Sequence, residues 1–390
     1  MTNKLLETQI TQAALNICRA HTRSDLELTL AEKVLPDSWG RNLVWRYWVQ
    51  KAPPDFPATL IVKVSKLGGG HIFNEWASLQ FLNRFESLGT LVPTFYGGDA
   101  AYELLVLEDL GAVRHKYDLG TILEGDDPAL AREALLAHAR QMALLHLTTA
   151  GHEAAFNCLR AHFPATTQPV AKDQFKANFD WFWRIMPQYG LATSTELERE
   201  IRAIIACLRN PKRLRAYTRG DVCPSNVAYH NQQTRFYDFE MGAFRHIFLS
   251  TAYFRISHLS CLNGSLIPLE LQAEAEATYF QALAPLLPDP AAYQVDYAAA
   301  ATAMVIWILS LYLEKKDRPR HLATLRQRMF AALTLYAQHD IFTAPFPHTA
   351  ATLTRLQQKL DVQWTEAEKR ILPFPAFEST AQRQVRKFLH

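Results

Sequence analysis

Between Tyr217 and Glu240 the chain reads YTRGDVCPSNVAYHNQQTRFYDFE, and this stretch limits the possible folds more than any other. Asp221 and Asn226 stand five residues apart, across a loop containing Pro224. Asn226–Tyr229 has strand composition, His230–Thr234 is a polar turn, and Arg235–Tyr237 reads as the returning strand. A hairpin of this length brings Asp238 back beside Asn226 and Asp221. Two carboxylates and one amide oxygen then converge on one point, a set of hard oxygen ligands suited to Mg²⁺ rather than zinc. A third carboxylate, Glu240, follows one residue beyond Phe239, placed either to join that metal shell or to be solvated. Asp and Asn are ordinary turn residues, so the rest of the chain has to decide what the hairpin is for.

At 390 residues the chain is long enough for two lobes with large cores. A hydrophobic fraction of 49% and a charged fraction of 20% describe a globular protein. The net charge of +3, with no block of like charges, gives no reason to expect a nucleic-acid partner. The five cysteines, Cys18, Cys158, Cys207, Cys223 and Cys261, are scattered and form no Cys-x-x-Cys pair. That pattern speaks against a disulfide framework or a zinc ribbon, and for a reducing compartment. Cys223 is expected to be a small loop-filling thiol rather than a nucleophile. The N-terminus lacks the continuous apolar core of a signal peptide and reads as an amphipathic helix. Tyr297–Leu313 is the one stretch apolar enough to suggest a span, and is read as a buried helix of a large helical lobe. A cytoplasmic protein without a membrane partner is the expectation; the sequence leaves the oligomeric state open.

In chain order, Leu43–Val49 and Thr59–Val64 read as strands joined by the turn at Pro53-Pro54. Ser38–Asn42 precedes them and is a weak candidate for a tight turn over a phosphate. Gly68-Gly69-Gly70 lacks a following Gly-Lys-Ser/Thr and is not a Walker loop. Lys63 lies inside the apolar strand LIVKV, where a lysine is costly unless paired. The helix predicted over 73–82 carries Glu75 near its start, within reach of Lys63. Leu104–Leu107 is a further strand, closing at Glu108-Asp109-Leu110-Gly111. From there helical patterns dominate: 126–150, with Pro128 at its start, then 173–188, 195–208, 269–286, 297–314, 320–338 and 350–360. Lys315–Pro319 reads as a helix stop. No internal repeat is visible.

Strand Lys63, helix Glu75, the segment LVLEDLG at 105–111, the Arg219-Gly220-Asp221 loop with Asn226, and Asp238-Phe239-Glu240 occur in an order that resembles the aminoglycoside phosphotransferase and choline kinase family. The resemblance runs from about residue 38 to 260. It implies a bilobal, protein-kinase-like α+β fold, with a β-rich N-lobe over 1–109 and a largely helical C-lobe over 110–390. It also implies ATP and Mg²⁺ in the cleft and a small-molecule alcohol as acceptor, such as an amino sugar or a choline-like amine. Adenine would contact the backbone from Val106 through Glu108 to Leu110. Lys63 would hold phosphates with Glu75 orienting it, Asp221 would be the base, and Asn226 and Asp238 would bind the metal. Arg219 stands where the family has His, and would help keep Asp221 ionised.

Two other readings remain at this stage. One is a kinase-fold nucleotide-binding or regulatory protein with impaired catalysis. The other is nucleotidyl rather than phosphoryl transfer. A protein kinase is disfavoured, because only a short segment separates Asp238 from the helical-looking 248–257 and no Ala-Pro-Glu follows. Trp181, Phe182, Trp183, Tyr253 and Phe254 are candidates for a pocket wall, with core packing as their default role.

Overall fold

The computed structural model describes residues 3–34, 41–66, 71–111, 117–163, 171–261, 263–317, 319–320 and 322–382. The expected turn at Ser38–Gly40, the run Gly68–Gly70 and Arg318 of the helix stop lie outside them.

The chain opens with α1 (Asn3–Thr22), followed by β1 (Glu27–Lys33), β2 (Asn42–Gln50) and β3 (Thr59–Ser65). After α2 (His71–Leu82) come β4 (Phe95–Asp99) and β5 (Leu104–Glu108). The five strands form one antiparallel sheet in the order β1-β2-β3-β5-β4. The alternation of side chains along a strand sorts this sheet into two faces. Trp45, Tyr47, Leu60, Val62, Val64, Leu104 and Val106 pack with Ile10, Ala13, Ala14 and Cys18 of α1 in a core of their own. The intervening residues, Val44, Arg46, Ile61, Lys63 and Leu107, face the opposite way, into the cleft. β3 therefore delivers Lys63 to the cleft by register, since its neighbours Val62 and Val64 are held in the outer core.

Past Glu108 the structure is mainly helical. α3 (Leu119–Glu124) and the 22-residue α4 (Pro128–Thr149) begin it, each with an aspartate N-cap, Asp118 and Asp127. Pro128 sits in the first turn of α4, where its missing N–H costs nothing. α5 (Glu153–Arg160), α6 (Ala171–Ile185) and α7 (Thr195–Arg209) follow. Then come β6 (Arg215–Thr218), the hairpin β7 (Val227–His230) and β8 (Gln233–Phe236), and β9 (Ala243–His246). α8 (Phe248–Arg255), α9 (Leu269–Leu283), α10 (Gln294–Tyr312), α11 (Leu325–Ala337), α12 (Asp340–Thr343), α13 (Pro347–Gln363) and the short α14 (Glu366–Lys369) follow. α10 is the helix long and apolar enough to cross a membrane; here it lies in the middle of the lobe, with Ala298–Ala301, Val305, Ile306 and Leu309 all buried. The second core is continuous from α2 and the cleft face of the sheet through these helices.

The α+β architecture thus follows the expectation, with the sheet first and the helices after. β1, β4, β6 and β9 were not expected. β4 reads FYGGD, and its two glycines hide it from a composition test. Gly98 is required there, because a Cβ would meet the Trp76 ring at 2.4 Å. β6 and β9 are four residues each and gain their ladder only from one another.

The cysteine expectation is corrected. Cys223 and Cys261 form a disulfide with Cα atoms 5.6 Å apart, leaving Cys18, Cys158 and Cys207 free. The partners are 38 residues apart, and only the packing of the loop before β7 against the turn after α8 brings them together. Cys223 is therefore not an unpaired loop-filling thiol.

Candidate active site

The hairpin that opened the sequence reading forms, slightly shorter than expected. Val227 pairs with Phe236 and His230 with Gln233, across a two-residue turn at Asn231-Gln232. Both turn residues have positive φ, 48° and 60°, as a hairpin turn matching the strand twist requires. The register sets Asn226 beside Tyr237, whose N–H donates to the Asn226 carbonyl at 3.3 Å. Asp238 is the next residue, at φ 63°, a left-handed conformation that Asp tolerates better than most.

That backbone turn aims Asp238 at the sheet. Lys63 Nζ donates to Glu75 Oε2 at 2.5 Å and to Asp238 Oδ1 at 2.7 Å. Lys63 and Glu75 are both buried, and the Asp238 side chain is 30% exposed. Burial works against the Lys63 charge, but Asp238 and Glu75 outweigh it and hold its pKa above the ordinary value. Burial pushes Glu75 upwards, opposed by Lys63. The pair expected from sequence is therefore made, with Asp238 as a third member.

α2 is tied to the segment after Asp238 along its length. Asn74 Nδ2 donates to the carbonyls of Glu240 (2.9 Å) and Gly242 (2.8 Å). Ser78 Oγ donates to the Phe239 carbonyl at 3.4 Å. Glu240 is not solvated, one of the two roles open to it from sequence. It is buried, pairs with Arg41 at 2.8 Å and accepts from Asn42 Nδ2 at 3.1 Å. Carboxylate oxygens of Glu75, Asp238 and Glu240 lie within 4.8 Å of one another. Such a set of hard oxygens suits a divalent cation of the Mg²⁺ class.

Asp221 lies in the loop after β6. Gly220 before it has φ 77°, and a Cβ there would meet the Met241 carbonyl oxygen at 2.3 Å, so the position admits only glycine. Asp221 Oδ1 accepts from the Cys223 N–H at 3.1 Å, and its carboxylate is bonded to the Asn226 side chain. Burial is the largest influence on Asp221 and raises its pKa; the negative charge of Asp238 adds to the rise. Arg219 acts in the expected direction, lowering it, but does not prevail.

The Arg219 guanidinium itself is turned elsewhere. Nη1 donates to the Asn226 carbonyl at 2.7 Å, and the group lies over the Phe236 ring, 4.2 Å from its centroid. It is 2% exposed, and burial pulls it down to about 10. Three buried histidines, His138, His146 and His258, feel its charge, which together with burial depresses their pKa values. Arg219 is thus a brace that holds the Asn226 backbone.

Two concave regions are lined by these residues. The first lies between the sheet and the hairpin and is lined by Val44, Ile61, Lys63, Leu107, Leu110 and Asp238, with Glu75 and Glu108 also at its wall. Val106 does not face it; its side chain is in the outer core with α1. Glu108 is held by Thr94 N–H at 2.9 Å and by Arg235 Nη2 at 2.7 Å, which fastens the end of β5 to β8. The second is a cavity of about 380 Å³ lined by Asp221 and Asn226, with Arg245, Ser250, Trp307 and the Cys223–Cys261 bridge among its walls. Of the aromatic residues considered from sequence, Tyr253 lines it; Phe182 and Phe254 are core. Trp307 and Arg245 were missed. Neither sits in a motif, and Trp307 looked like one more apolar residue of a buried helix.

A separate group, Cys207, His246 and Asp296, also brings ligand atoms within 4.8 Å. Hydrogen bonds close it. Cys207 Sγ donates to Asp296 Oδ1 at 3.1 Å, and His246 Nδ1 accepts from the Phe248 N–H at 3.2 Å. The imidazole proton is therefore on Nε2, facing Asp296 at 3.4 Å, where a metal would need a lone pair.

No protein-family model matches the sequence, and no curated protein matches it. The chain is similar to solved structures of small-molecule phosphotransferases. ADP-bound aminoglycoside phosphotransferase APH(2'')-Ib is 14% identical, with 88% of this chain and 99% of that one covered at a TM-score of 0.47. Choline kinase from Cryptosporidium parvum is 14% identical, covering 90% and 98% at 0.44. Macrolide 2'-phosphotransferase MphH from Brachybacterium faecium is 13% identical, covering 87% and 97% at 0.43.

Proposed function

We propose that this chain is a small-molecule kinase that moves the γ-phosphate of ATP to an alcohol hydroxyl. The observation that carries the reading is the buried Lys63–Glu75–Asp238 cluster facing one cavity, with Asp221 and Asn226 facing the next. A lysine costs free energy in the interior unless it has work for its charge, and two carboxylates hold this one pointed into the cleft.

Phosphoryl transfer needs alignment and charge neutralisation more than covalent chemistry by the protein. Lys63 would neutralise phosphate oxygens, with Glu75 fixing its direction. Asn226 and Asp238 would hold Mg²⁺, and the buried Glu240 has a carboxylate oxygen within 4.8 Å of one of Asp238. When bound, the ion would draw charge from the phosphate oxygens. Asp221 would orient the acceptor hydroxyl and take its proton. Its raised pKa makes it a stronger base than an ordinary aspartate. The ends of the adenine would meet backbone near Glu108 and Leu110, with Ile61, Val44 and Leu107 as apolar walls. The cleft holds about 60 Å³, well below the roughly 300 Å³ of an ordinary ligand pocket, so nucleotide entry widens it. The bidentate Arg46–Asp109 pair, 2.6 and 3.2 Å, stands at its wall.

The test is ADP release with Mg²⁺ and ATP across a panel of small alcohols, wild type beside Asp221→Ala. Acceptor-dependent release that the variant lacks supports the reading, and a product heavier by one phosphate excludes nucleotidyl transfer. Nucleotide binding with no turnover on any acceptor would favour a regulatory role. A wild-type chain that does not bind ATP would sink the proposal.

A further inference from the structure

The cavity beyond Asp221 carries information about the acceptor. Its charged wall residues are Arg41, Asp221 and Arg245. Arg41 is committed to Glu240 at 2.8 Å. Arg245 is not committed to any carboxylate among the described residues. Its one hydrogen bond there is from Nη1 to Thr218 Oγ1, at 3.3 Å. It lies against Gly220, where a Cβ would approach Nη1 to 2.6 Å, so the guanidinium sits one residue from Asp221. Burial lowers its pKa to about 10, with only the Tyr217 and Tyr253 hydroxyls acting in the other direction.

A cationic acceptor fits these walls badly. Among the described residues Asp221 is the single carboxylate lining the cavity, and an ammonium would pair with it in place of the hydroxyl it must receive. Nor is an aromatic box built among the described residues. Tyr253 and Trp307 meet edge to face with centroids 6.5 Å apart, and the Tyr253 hydroxyl is engaged with Ser260 at 3.2 Å. A part-buried guanidinium with no carboxylate partner among the described residues instead favours an oxyanion, which its planar donors can hold in two-point fashion.

Resting on the kinase reading above, we propose that the acceptor is an anionic alcohol, whose carboxylate or phosphate is held by Arg245 while its hydroxyl faces Asp221. Ser250, Asn178 and Ser225 supply neutral donors and acceptors for the rest of a polar skeleton, and Trp307, Met304 and Leu249 cover its apolar side. In the reaction the acceptor oxygen bonds to the γ-phosphorus, the bond from that phosphorus to the ADP oxygen breaks, and the hydroxyl proton passes to Asp221. Arg245 also offsets the repulsion between an anionic acceptor and the nucleotide phosphates.

Matched acceptors that differ in charge test this. Gluconate, glucose and glucosamine form one set; glycerate, glycerol and 2-amino-1,3-propanediol form another. Each is titrated with Mg²⁺ and ATP against wild type, Arg245→Gln and Arg245→Lys, following ADP release and, separately, ATP binding. The expected result is a KM for the anion at least about tenfold below that of its neutral and cationic counterparts. Arg245→Gln removes this preference while KM for ATP stays within about twofold, and Arg245→Lys keeps part of it. Preference for a cationic member, or an anion preference that survives Arg245→Gln, overturns the inference and leaves the kinase standing. ATP that does not bind to wild type overturns the kinase reading, and the acceptor inference with it.

Discussion

Lys63 Nζ lies 2.5 Å from Glu75 Oε2, although the two residues come from the third strand and the second helix and both are buried. The contact sets the angle between sheet and helix, and it fixes which way the ammonium points. Breaking one side of such a pair leaves an uncompensated charge. Lys63→Met is expected to abolish ATP turnover and to lower stability by about 3 kcal/mol. Glu75→Gln is expected to keep the fold better, because Asp238 still holds Lys63, while raising KM for ATP. Urea unfolding alongside ADP release checks both. Full activity in Lys63→Met would remove the ammonium from the mechanism.

Asp221→Asn separates function from stability. Burial raises the Asp221 pKa, so at neutral pH the folded state carries a carboxylate less comfortable than in the unfolded chain. Asn removes that cost. The variant is expected to be inactive yet to melt higher at pH 7 in Mg²⁺-free buffer. The gain should shrink as pH falls and vanish below the ordinary Asp value of 3.8, where both states are protonated. By the same shift, the acid limb of wild-type turnover should lie above the ordinary Asp range. A variant less stable than wild type at pH 7 would contradict the burial argument.

Acid sensitivity should come from His138, His146 and His258. Burial, aided by Arg219, depresses all three, His146 and His258 to about 3. A base depressed in the folded state contributes stability above its unfolded value of 6.5, lost as pH falls towards the folded value. Three such groups predict a loss of up to about 4 kcal/mol per pH unit below about 6. Urea midpoints at pH 7.5, 6.5 and 5.5 measure this. A flat profile would mean that these rings are solvated.

The Cys223–Cys261 bridge joins the loop carrying Asp221 and Asn226 to the turn after α8, and both cysteines line the cavity at Asp221. Thiol titration of the unfolded, unreduced chain should find three free thiols. Cys261→Ser, or reduction, should cost up to about 4 kcal/mol by the loop-closure argument for a separation of 38 residues. It should also raise KM for the acceptor more than for ATP. Five free thiols would remove the bridge.

Arg235→Ala tests the fastening between the lobes. Arg235 Nη2 donates to Glu108 at 2.7 Å, and although burial raises the Glu108 carboxyl, the Arg235 bond and charge with the Thr94 donors bring it below its ordinary value. Removing the arginine is expected to cost about 2 kcal/mol and to weaken ATP binding through the hinge. Unchanged nucleotide affinity would assign the pair to stability alone.

Much of this was open to a reader of the sequence. Lys63 declared itself by its cost in an apolar strand, Glu75 by its place near a helix start, and the hairpin by its polar turn between two short strands. Helices α4, α7, α9, α10 and α13 followed from long apolar periodicity and, in α4, from Asp127-Pro128. What stayed hidden had no local signal. β4 depends on Trp76 filling the space above Gly98, and which side chains of β5 face α1, as Val106 does, depends on how that strand sits in the sheet.

The sequence by itself determined the long helices, the hairpin and the candidate site groups, because propensity, periodicity and the cost of burying a lysine are local properties of residues. The tertiary structure decided which groups face one another. Cys223 meets Cys261, Arg219 braces the Asn226 carbonyl, Glu240 is buried against Arg41, and Arg245 lies against Gly220 with no carboxylate partner among the described residues. Each of these depends on the distance between segments remote in the chain. Hydrogen bonds and ion pairs act over a few ångströms, and only the packing of the whole core brings such segments that close.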